Sequence, residues 1–424
     1  MSIRSLYPDI RPSFLLDFAN AKQLDPRITF TRNSTATYVG RDGLIKTAGL
    51  NQPRFDHDPV TLESLGLLIE EQRTNLWTSS SDLTVSDNPV YGNWNNATRN
   101  SNVAISPDGL TEGDRNTFST ATASTVERFS ATAGTVYTFS IYLKKDPTSI
   151  DTLLNLFGFI VCWSNDGSTL TSYAFPDLVS GQNASDVLTD EWKRFSLSYT
   201  CPAGATSMEF GISNRGAGTS TLSQAYSVLC WGAQIEAGSF ATSYIPTSGS
   251  AATRVADNSS ITGANFSNSY NPSEGTLVVQ GRTAAGNSLQ FTNQPIISIN
   301  AGNTTNRIIM FDRDAGTLEW NVVDGSSGNG SGLLLDETTS FTGANDYIMC
   351  GTYKNGAPTR AVANGLGANG TTIESSGKND TVNIFNQMDI GNELGTRQCC
   401  STIKRVRYYP LSLSDDQIKT LVLI

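Results

Sequence analysis

The sequence alternates between hydrophobic and polar positions over much of its length, which is the pattern of half-buried β-strands. The clearest runs are VYTFSIYLKK (136–145), KRFSLSYTC (193–201), SMEFGIS (207–213) and AYSVLCWGAQIE (225–236). Later runs with strand character include TLVVQGRT (276–283), RIIMFD (307–312), DYIMCGTY (346–353) and IKRVRYYP (403–410). Polar loops rich in glycine, asparagine and serine separate these runs. The pattern therefore predicts an all-β protein.

A helical pattern occurs at the C-terminus, in LSLSDDQIKTLVLI. Ser412 or Ser414 would cap the start of this short helix, because a hydroxyl there accepts a hydrogen bond from a free backbone N–H. Two carboxylates in the first turn would favour the positive end of the helix dipole. These carboxylates and the predicted apolar face are Asp415 and Asp416, and Ile418, Leu421 and Val422.

The predicted strands fall into two groups. An N-terminal segment with shorter, interrupted strands precedes both groups. Residues 76–245 predict a two-sheet jelly roll, residues 246–258 a linker rich in proline, glycine and serine, and residues 259–424 a second β-sandwich. Residues 1–75 contain short strands interrupted by proline and glycine, which bury little by themselves. This segment is therefore predicted to be an extended N-terminal arm that packs on the next domain, a sister chain or a partner.

Composition and charge exclude several functional classes. The 29 basic and 39 acidic residues give a net charge of −10, and we expect no nucleic-acid partner, since such binding depends on basic residues that neutralise phosphates. No apolar run reaches the ~18 residues of a membrane span, and the N-terminus lacks the apolar core of a signal peptide. We therefore expect synthesis in the cytoplasm without export, and no membrane insertion.

The chain has a single histidine, His57, which excludes most zinc sites and most catalytic triads. Zinc sites with two histidines need more than one imidazole per chain, and a Ser-His-Asp triad would have to use His57, which lies in RFDHDP. The six cysteines have no CxxC spacing, which favours reduced thiols in the core over a zinc site or a disulfide framework.

Three stretches resemble known sequences. Residues 28–75, with TFTRNSTATYVGRDGLIKTA, NQPRFDHDP and GLLIEEQRTNL, resemble a module of tail-associated and other virion proteins of bacteriophages and prophages. WGAQIEAGSFATSYIPTSGSAATRVAD (231–257) resembles the end of the carbohydrate-binding-like jelly roll that follows this module. IKRVRYYPLSLSDDQIKTL resembles the last strand and helix of laminin-G/concanavalin-like lectin domains.

The resemblance implies a non-enzymatic virion protein, a tail fibre, spike or receptor-binding adhesin. The N-terminal arm would then dock onto other tail proteins of the virion, and the two sandwich domains would bind host-surface glycan weakly. Tail adhesins usually gain avidity as trimers, so a homotrimer is expected. Because the module starts near Met1, with no shaft before it, the resemblance favours a compact spike, tip or decoration protein over a long fibre.

Two other functions stay open. The first is a capsid decoration or connector protein whose lectin-like domains serve protein–protein contacts. The second is a depolymerising glycosidase or lyase, which usually needs a deep acidic groove and a long repetitive β-helix, and neither is visible in the sequence. The position of the protein in the particle would separate the first from an adhesin, and a reducing-end assay would identify the second.

Trp94 is the predicted glycan platform, because it lies in the loop YGNWNNATRN among hydrogen-bonding neighbours. A sugar presents an apolar C–H face surrounded by hydroxyls, and an aromatic ring beside amides matches both. Tyr91, Asn93 and Asn95 supply the polar groups. The alternative is a loop tryptophan that packs back onto a sheet.

The stretch IEEQRTNL (69–76) collects Glu70, Glu71, Arg73 and Asn75 after an apolar run. A glycosidase needs two carboxyl groups that face each other, but adjacent residues of an extended segment point to opposite sides. We therefore interpret the four residues as a hydrogen-bonded knot that docks the arm onto the jelly roll.

A weak calcium candidate lies in DRDAG (312–316), where Asp312 and Asp314 supply two carboxylates. Calcium takes six to eight oxygen ligands, and the next acid along the chain is Glu319. A hairpin turn without metal is the favoured interpretation, so no cofactor is predicted, although calcium stays possible.

Overall fold

A computed structural model gives the structure of the protein, and it describes most of the chain. The described residues are 8–83, 97–118, 124–149, 158–174, 176, 188–213, 226–283, 294–313, 317–324, 331–335, 346–365, 368–369, 372–376 and 384–423. Antiparallel strands dominate these residues, and the predicted all-β class, with β-sandwich domains and a short C-terminal helix, is confirmed.

The elements are given in chain order. The first part of the chain forms β1 (Phe14–Asp17), the helix α1 (Phe18–Ala21), β2 (Thr29–Thr31), β3 (Ala36–Val39), β4 (Ile45–Ala48), β5 (Arg54–His57), β6 (Ser64–Ile69) and β7 (Arg73–Asn75). The middle part forms β8 (Ala97–Ala104), β9 (Gly113–Phe118), β10 (Ser124–Ser130), β11 (Val136–Lys145), β12 (Gly158–Ser164), β13 (Ser172–Ala174), β14 (Lys193–Thr200), β15 (Ser207–Ser213), β16 (Tyr226–Ala237) and β17 (Ala252–Arg254).

The last part continues with β18 (Asn258–Thr262), the helix α2 (Ala264–Ser267), β19 (Glu274–Thr283), β20 (Gln294–Asn300), β21 (Asn306–Arg313), β22 (Thr317–Asp324), β23 (Ser331–Leu335), β24 (Asp346–Lys354), β25 (Arg360–Gly365), β26 (Ala368–Asn369), β27 (Glu374–Ser375), β28 (Gln387–Ile390), β29 (Asn392–Glu393), β30 (Arg397–Gln398), β31 (Ser401–Tyr409) and the helix α3 (Asp415–Val422).

The chain folds into two compact units, and the first of them is discontinuous. Unit 1 contains residues 1–72 and 255–424, and unit 2 contains residues 73–254. Unit 1 is a sandwich of sheet I, in the order β26-β25-β24-β19-β31-β6-β5, and sheet II, in the order β2-β18-β28-β20-β21-β22-β23. The strands β1 and β27 add to sheet I at β31 and β25.

The boundaries of these units differ from the predicted ones, because the N-terminal strands complete the sheets of the last part of the chain. One edge of β31 pairs with β19; the other pairs with β6 at Ser401–Ile403 and with β1 from Arg405 to Tyr408. In sheet II, β2 pairs with β18. Residues 8–72 are thus an integral part of unit 1, and the predicted linker contains β17 and the start of β18.

The core of unit 1 lies between sheets I and II. Residues of both ends of the chain meet in it, among them Phe14, Leu67, Ile299, Trp320 and Tyr408. The Trp320 indole N–H donates a hydrogen bond of 2.7 Å to Thr359 Oγ1. The Trp320 ring packs so closely on Gly351 that a Cβ at this position would lie 2.2 Å from it. The core therefore accommodates the Trp320 ring only because Gly351, opposite it, has no side chain.

Unit 2 has the strand order of a jelly roll. One sheet runs β14-β11-β16-β9-β8 and the other β10-β15-β12-β13. Apart from the edge strand β8, this is the order in which eight successive strands, β9 to β16, wind between the two sheets of a jelly roll. Aromatic rings fill the space between the sheets, with stacked or edge contacts among Trp77, Phe129, Phe139, Phe159 and Phe210.

The C-terminal helix has the predicted cap and the predicted buried face. Ser414 Oγ accepts a hydrogen bond from the backbone N–H of Gln417, and Gln417 Oε1 accepts one from the Ser414 N–H, which completes a capping box. Ile418, Leu421 and Val422 are buried in a cluster with side chains of sheet I. The helix therefore covers the face of sheet I that points away from the main core.

We predict that Phe14→Ala will destabilise unit 1, whose core contains this ring. Phe14 is fully buried and contacts Phe266 and Tyr408 with ring centroids 6.1 Å apart. Such truncation of a buried aromatic ring should lower the free energy of unfolding of unit 1 by about 3–5 kcal/mol, measured by denaturant titration. Leu15→Ala is the matched control, because Leu15 is 55% exposed and should change stability by less than about 0.5 kcal/mol. Equal effects would contradict an integral β1.

Candidate functional site

The predicted glycan platform lies outside the described residues. This holds for Trp94 and for its polar neighbours Tyr91, Asn93 and Asn95. The structure therefore gives no geometry for that loop, and the platform stays a prediction.

The weak calcium candidate is described at Asp312, whereas Asp314 lies outside the described residues. Asp312 belongs to β21, where it faces Gln294 on one neighbouring strand and Leu318 on the other, and it is buried. Among the described residues, there is no group of three or more His, Cys, Asp or Glu side chains close enough together to bind a metal ion. All six cysteines are buried, and none forms a disulfide.

The four residues of the predicted knot lie in different surroundings. Glu70 joins a buried cluster of charged side chains within unit 1, and the Glu71 backbone N–H points to Cys400 Sγ at 3.4 Å. Arg73 and Asn75 belong to β7 in unit 2. The Arg73 guanidinium lies 5.0 Å from the Phe240 ring centroid, and Glu70 has Arg54 as an ion-pair partner.

Asn75 fastens β7 within unit 2 through all four of its hydrogen-bonding positions. Its amide group donates to the backbone carbonyls of Ile245 at 2.8 Å and Ala233 at 3.2 Å. Its oxygen accepts the backbone N–H groups of Trp77 and Ile235, both at 3.0 Å. A buried amide whose donors and acceptors all form hydrogen bonds within the protein stabilises the fold, so Asn75 acts as a structural residue.

The buried cluster in unit 1 consists of Arg32, Arg54, Glu70 and Asp257, whose side chains are 0–6% exposed. Asp257 accepts from Arg32 Nη1 at 3.0 Å, and its other oxygen pairs with Arg54 Nη2 and accepts the Glu70 backbone N–H at 2.9 Å. Arg54 Nη1 also donates to Glu70 at 2.6 Å. Two cations and two anions are thus brought together from distant parts of the sequence.

The electrostatic consequences appear in two pKa values. Burial by itself would lower the pKa of Arg54, but the charges of Asp257 and Glu70 outweigh burial and raise it above its ordinary value. Next to the cluster, desolvation raises the pKa of Asp56 to about 7, although the Val39 N–H and the charge of Arg54 oppose the shift. Asp56 therefore holds a proton in the folded chain under mildly acidic conditions.

A cleft of about 550 Å³ lies beside this cluster and has the volume of a ligand site. Ligand sites in proteins commonly have volumes of about 300–1,000 Å³, with apolar walls and a few polar groups. The lining residues come from α1, the β3–β4 hairpin and β5, and they are Lys22, Tyr38, Gly40, Arg41, Asp42, Lys46, Thr47, Phe55 and His57.

Local sequence explains why these side chains share one cleft. Tyr38 and Lys46 are direct partners across the β3–β4 hairpin, so their side chains project from the same face. The hairpin turns at Gly43, whose φ of +77° favours glycine, and this turn places Arg41 and Asp42 at the tip. Phe55 and His57, both on β5, also line the cleft, while Arg54 projects into the buried cluster.

Three of the four charged side chains in the lining of the cleft are cations. Lys46 forms an ion pair of 2.8 Å with Asp42, whereas Lys22 and Arg41 have no acidic group within ion-pair distance in the described part of the chain. The His57 ring is 4% exposed, and its Nδ1 lies 3.2 Å from the Val39 carbonyl oxygen. Its Nε2 has no hydrogen-bond partner among the described residues. The cleft thus offers two aromatic rings and positive charge without a neutralising acid among the described residues.

Sequence reasoning did not find this cleft. It considered His57 only as part of a triad. The available signal was the stretch TYVGRDGLIK, where an aromatic residue and two basic residues surround a tight turn. The contribution of β5 was not visible, because its contact with the hairpin is a tertiary one.

A smaller polar cavity of about 270 Å³ lies along sheet II, lined by Thr29, Thr31, Asn258, Ser259, Ser260, Gln387, Asp389, Asn392, Leu394 and Gly395. Burial raises the pKa of Asp389, whose carboxylate accepts from Asn300 Nδ2 at 2.8 Å and the Leu394 N–H at 3.0 Å. The lining contains no aromatic ring, so this cavity offers a sugar hydrogen bonds without an apolar platform.

Among the described residues, none of the helices has the length and apolar character required to cross a membrane.

Comparisons with known proteins give distant similarities in structure only. No family model and no curated protein matches the sequence. Among solved structures, the chain is similar to the receptor-binding domain of botulinum neurotoxin C/D mosaic serotype, at 14% identity and a TM-score of 0.29, over 40% of this chain and 40% of that chain. It is also similar to the IT-sialidase CBM40 of Ruminococcus gnavus bound to α2,6-sialyllactose, at 15% identity and a TM-score of 0.31, over 37% of this chain and 87% of that chain.

A K499G mutant of NanB sialidase from Streptococcus pneumoniae is similar at 15% identity and a TM-score of 0.30, over 38% of this chain and 26% of that chain. The chain thus spans about 40% of the length of the first of these structures. At such identities and TM-scores, the similarities do not establish a common function.

We predict that Asp257→Ala will strongly destabilise unit 1, because it leaves two buried guanidinium groups without this partner. Breaking a buried ion pair on one side costs about 3–5 kcal/mol, measured as the change in the free energy of unfolding. Asp42→Ala is the control: it removes the exposed Asp42–Lys46 pair and should cost less than about 1 kcal/mol. A small effect at Asp257 would show that the cluster contributes little to stability.

We predict that Asp56→Asn will change how stability depends on pH. Between about pH 4 and pH 7 the folded chain keeps the Asp56 proton while the unfolded chain releases it. This carboxyl therefore makes stability fall as the pH rises through that range, and the loss persists above it. Asparagine can still accept the Val39 N–H, so the variant should gain stability relative to the wild type as the pH rises from 4 to 8. Parallel thermal-denaturation profiles for the two proteins would contradict the prediction.

Proposed function

We propose that this protein is a non-catalytic virion protein of a bacteriophage, a tail adhesin that binds host-surface glycan through the cleft between the β3–β4 hairpin and β5. The observation that carries the proposal is the composition of the cleft: the rings of Tyr38 and Phe55 lie beside hydrogen-bonding and charged groups in a volume of about 550 Å³. A sugar needs both an apolar face and polar partners.

The residues of the cleft support binding rather than hydrolysis. A glycosidase works with two carboxyl groups on either side of the scissile bond. The lining contains one carboxylate, Asp42, and Lys46 neutralises it. The cleft therefore has groups that can hold a sugar but lacks the pair of carboxyl groups that would cleave it.

The resemblance of residues 28–75 and 231–257 to phage proteins supports the placement in the virion tail, after synthesis in the host cytoplasm. On this proposal, other tail proteins of the virion contact the N-terminal part of the chain, and three copies act together as a homotrimer. Several weak sites on one rigid body raise the overall affinity far above that of one site. The Trp94 platform predicted from the sequence stays a separate candidate for glycan binding.

We predict that Tyr38→Ala will weaken binding to host polysaccharide by about fivefold, because the loss of one stacking ring costs about 1 kcal/mol. Binding is measured with purified protein by biolayer interferometry on immobilised polysaccharide from a susceptible host. Tyr173→Ala, which removes an exposed tyrosine of unit 2, is the matched control and should bind as the wild type does. If Trp94→Ala abolishes binding and Tyr38→Ala does not, the glycan site lies in the Trp94 loop.

Localisation of the protein in assembled particles tests the role in the virion. We expect cryo-electron microscopy to show density for it at the tail tip or tail periphery, with three-fold symmetry. Many copies spread over the capsid would instead identify a decoration protein. Absence from particles would refute the virion assignment while leaving glycan binding to be judged by the Tyr38 variant.

A further inference from the structure

We infer that the cleft selects an anionic saccharide, one that carries a carboxylate or sulfate group. The inference deepens the proposed function and rests on it, because it names the class of sugar that the same site would take. It stands on two properties of the described residues: the surplus of positive charge in the cleft, and the presence of charged groups and aromatic rings in one lining.

The positive charge of the cleft contrasts with the rest of the protein. The whole chain has a net charge of −10, yet the cleft collects Lys22, Arg41 and Lys46 against a single carboxylate, Asp42. Since Asp42 pairs with Lys46, the charges of Lys22 and Arg41 are left without a neutralising acid among the described residues. A ligand with a negative group would supply the missing partner.

The two remaining cations have backbone positions that the fold determines. Lys22 ends α1 in a left-handed conformation with φ of +51°, and the hairpin tip holds Arg41 between Gly40 and Asp42. A guanidinium presents its N–H groups as a planar fork that matches a carboxylate or a sulfate, and an ammonium adds a point charge. Arg41 is therefore the residue expected to recognise the anionic group, with Lys22 in support.

The neutral part of the sugar has its own partners. The rings of Tyr38 and Phe55 can cover its C–H face. The site thus has separate positions for a charge and for an apolar face.

The test uses the full-length protein on an array of oligosaccharides. Uronic-acid and nonulosonic-acid sugars are printed beside their carboxyl-methyl esters, and sulfated sugars beside their desulfated forms. We expect binding to acidic members, at least tenfold weaker binding to the neutralised twin, and a loss of affinity as the salt concentration rises. The esters and the desulfated forms show which anionic group is recognised.

Two charge-reversal variants locate the effect. Arg41→Glu should abolish the preference for acidic sugars, whereas Arg11→Glu, which makes the same change of net charge at another exposed arginine of unit 1, should keep it. Arg41→Lys should give an intermediate loss, because it keeps the charge without the fork. Each variant is first checked for an unchanged thermal transition.

The possible failures are distinguishable. Equal binding to acidic sugars and their neutralised twins, with loss in Tyr38→Ala, would overturn the anionic preference and leave the proposed glycan site intact. An equal loss in Arg41→Glu and Arg11→Glu would show a general charge effect and would also overturn the inference. Binding to no sugar on the array or on host polysaccharide would refute the proposed function itself.

Discussion

The buried cluster of Arg32, Arg54, Glu70 and Asp257 is the constraint on which unit 1 depends. Charges withdrawn from water are tolerated only when every one of them has a partner. The two arginines also form hydrogen bonds to the backbone. Arg32 donates to the carbonyls of Ser34 and Gly49, and Arg54 donates to the carbonyl of Thr37. The cluster therefore determines the path of the β3–β4 hairpin, and through it the shape of the neighbouring cleft.

The same constraint explains why the chain returns to unit 1 after unit 2. Asp257 lies just before β18, and its backbone N–H donates to the Glu70 carbonyl at 2.9 Å. The residues that leave unit 1 and those that re-enter it are thus joined by hydrogen bonds as well as by charge. The jelly roll is inserted between two adjacent positions of one fold, which is possible because the ends of an inserted domain usually lie close together.

The cleft combines a backbone of regular strands with long, flexible charged side chains. Strands and a short hairpin position the aromatic rings, while lysine and arginine side chains can adjust to a ligand. On the proposed function, a site built in this way would bind one sugar weakly and would discriminate by charge. Several copies on one particle would convert such a weak preference into firm attachment, which is the behaviour that an adhesin requires.

The sequence alone determined what depends on neighbouring residues. The two-residue alternation predicted β-strands, and the serine, acidic and apolar positions near residue 414 predicted the capped C-terminal helix, because these patterns act within a few residues. The tertiary structure decided what depends on distant partners. The pairing of Phe14 with Tyr408, the contact of Arg32 with Asp257 and the approach of His57 to the hairpin join residues that no local pattern connects. The short strands near the N-terminus therefore predict an extended arm, although burial against the far end of the chain makes this segment part of the core.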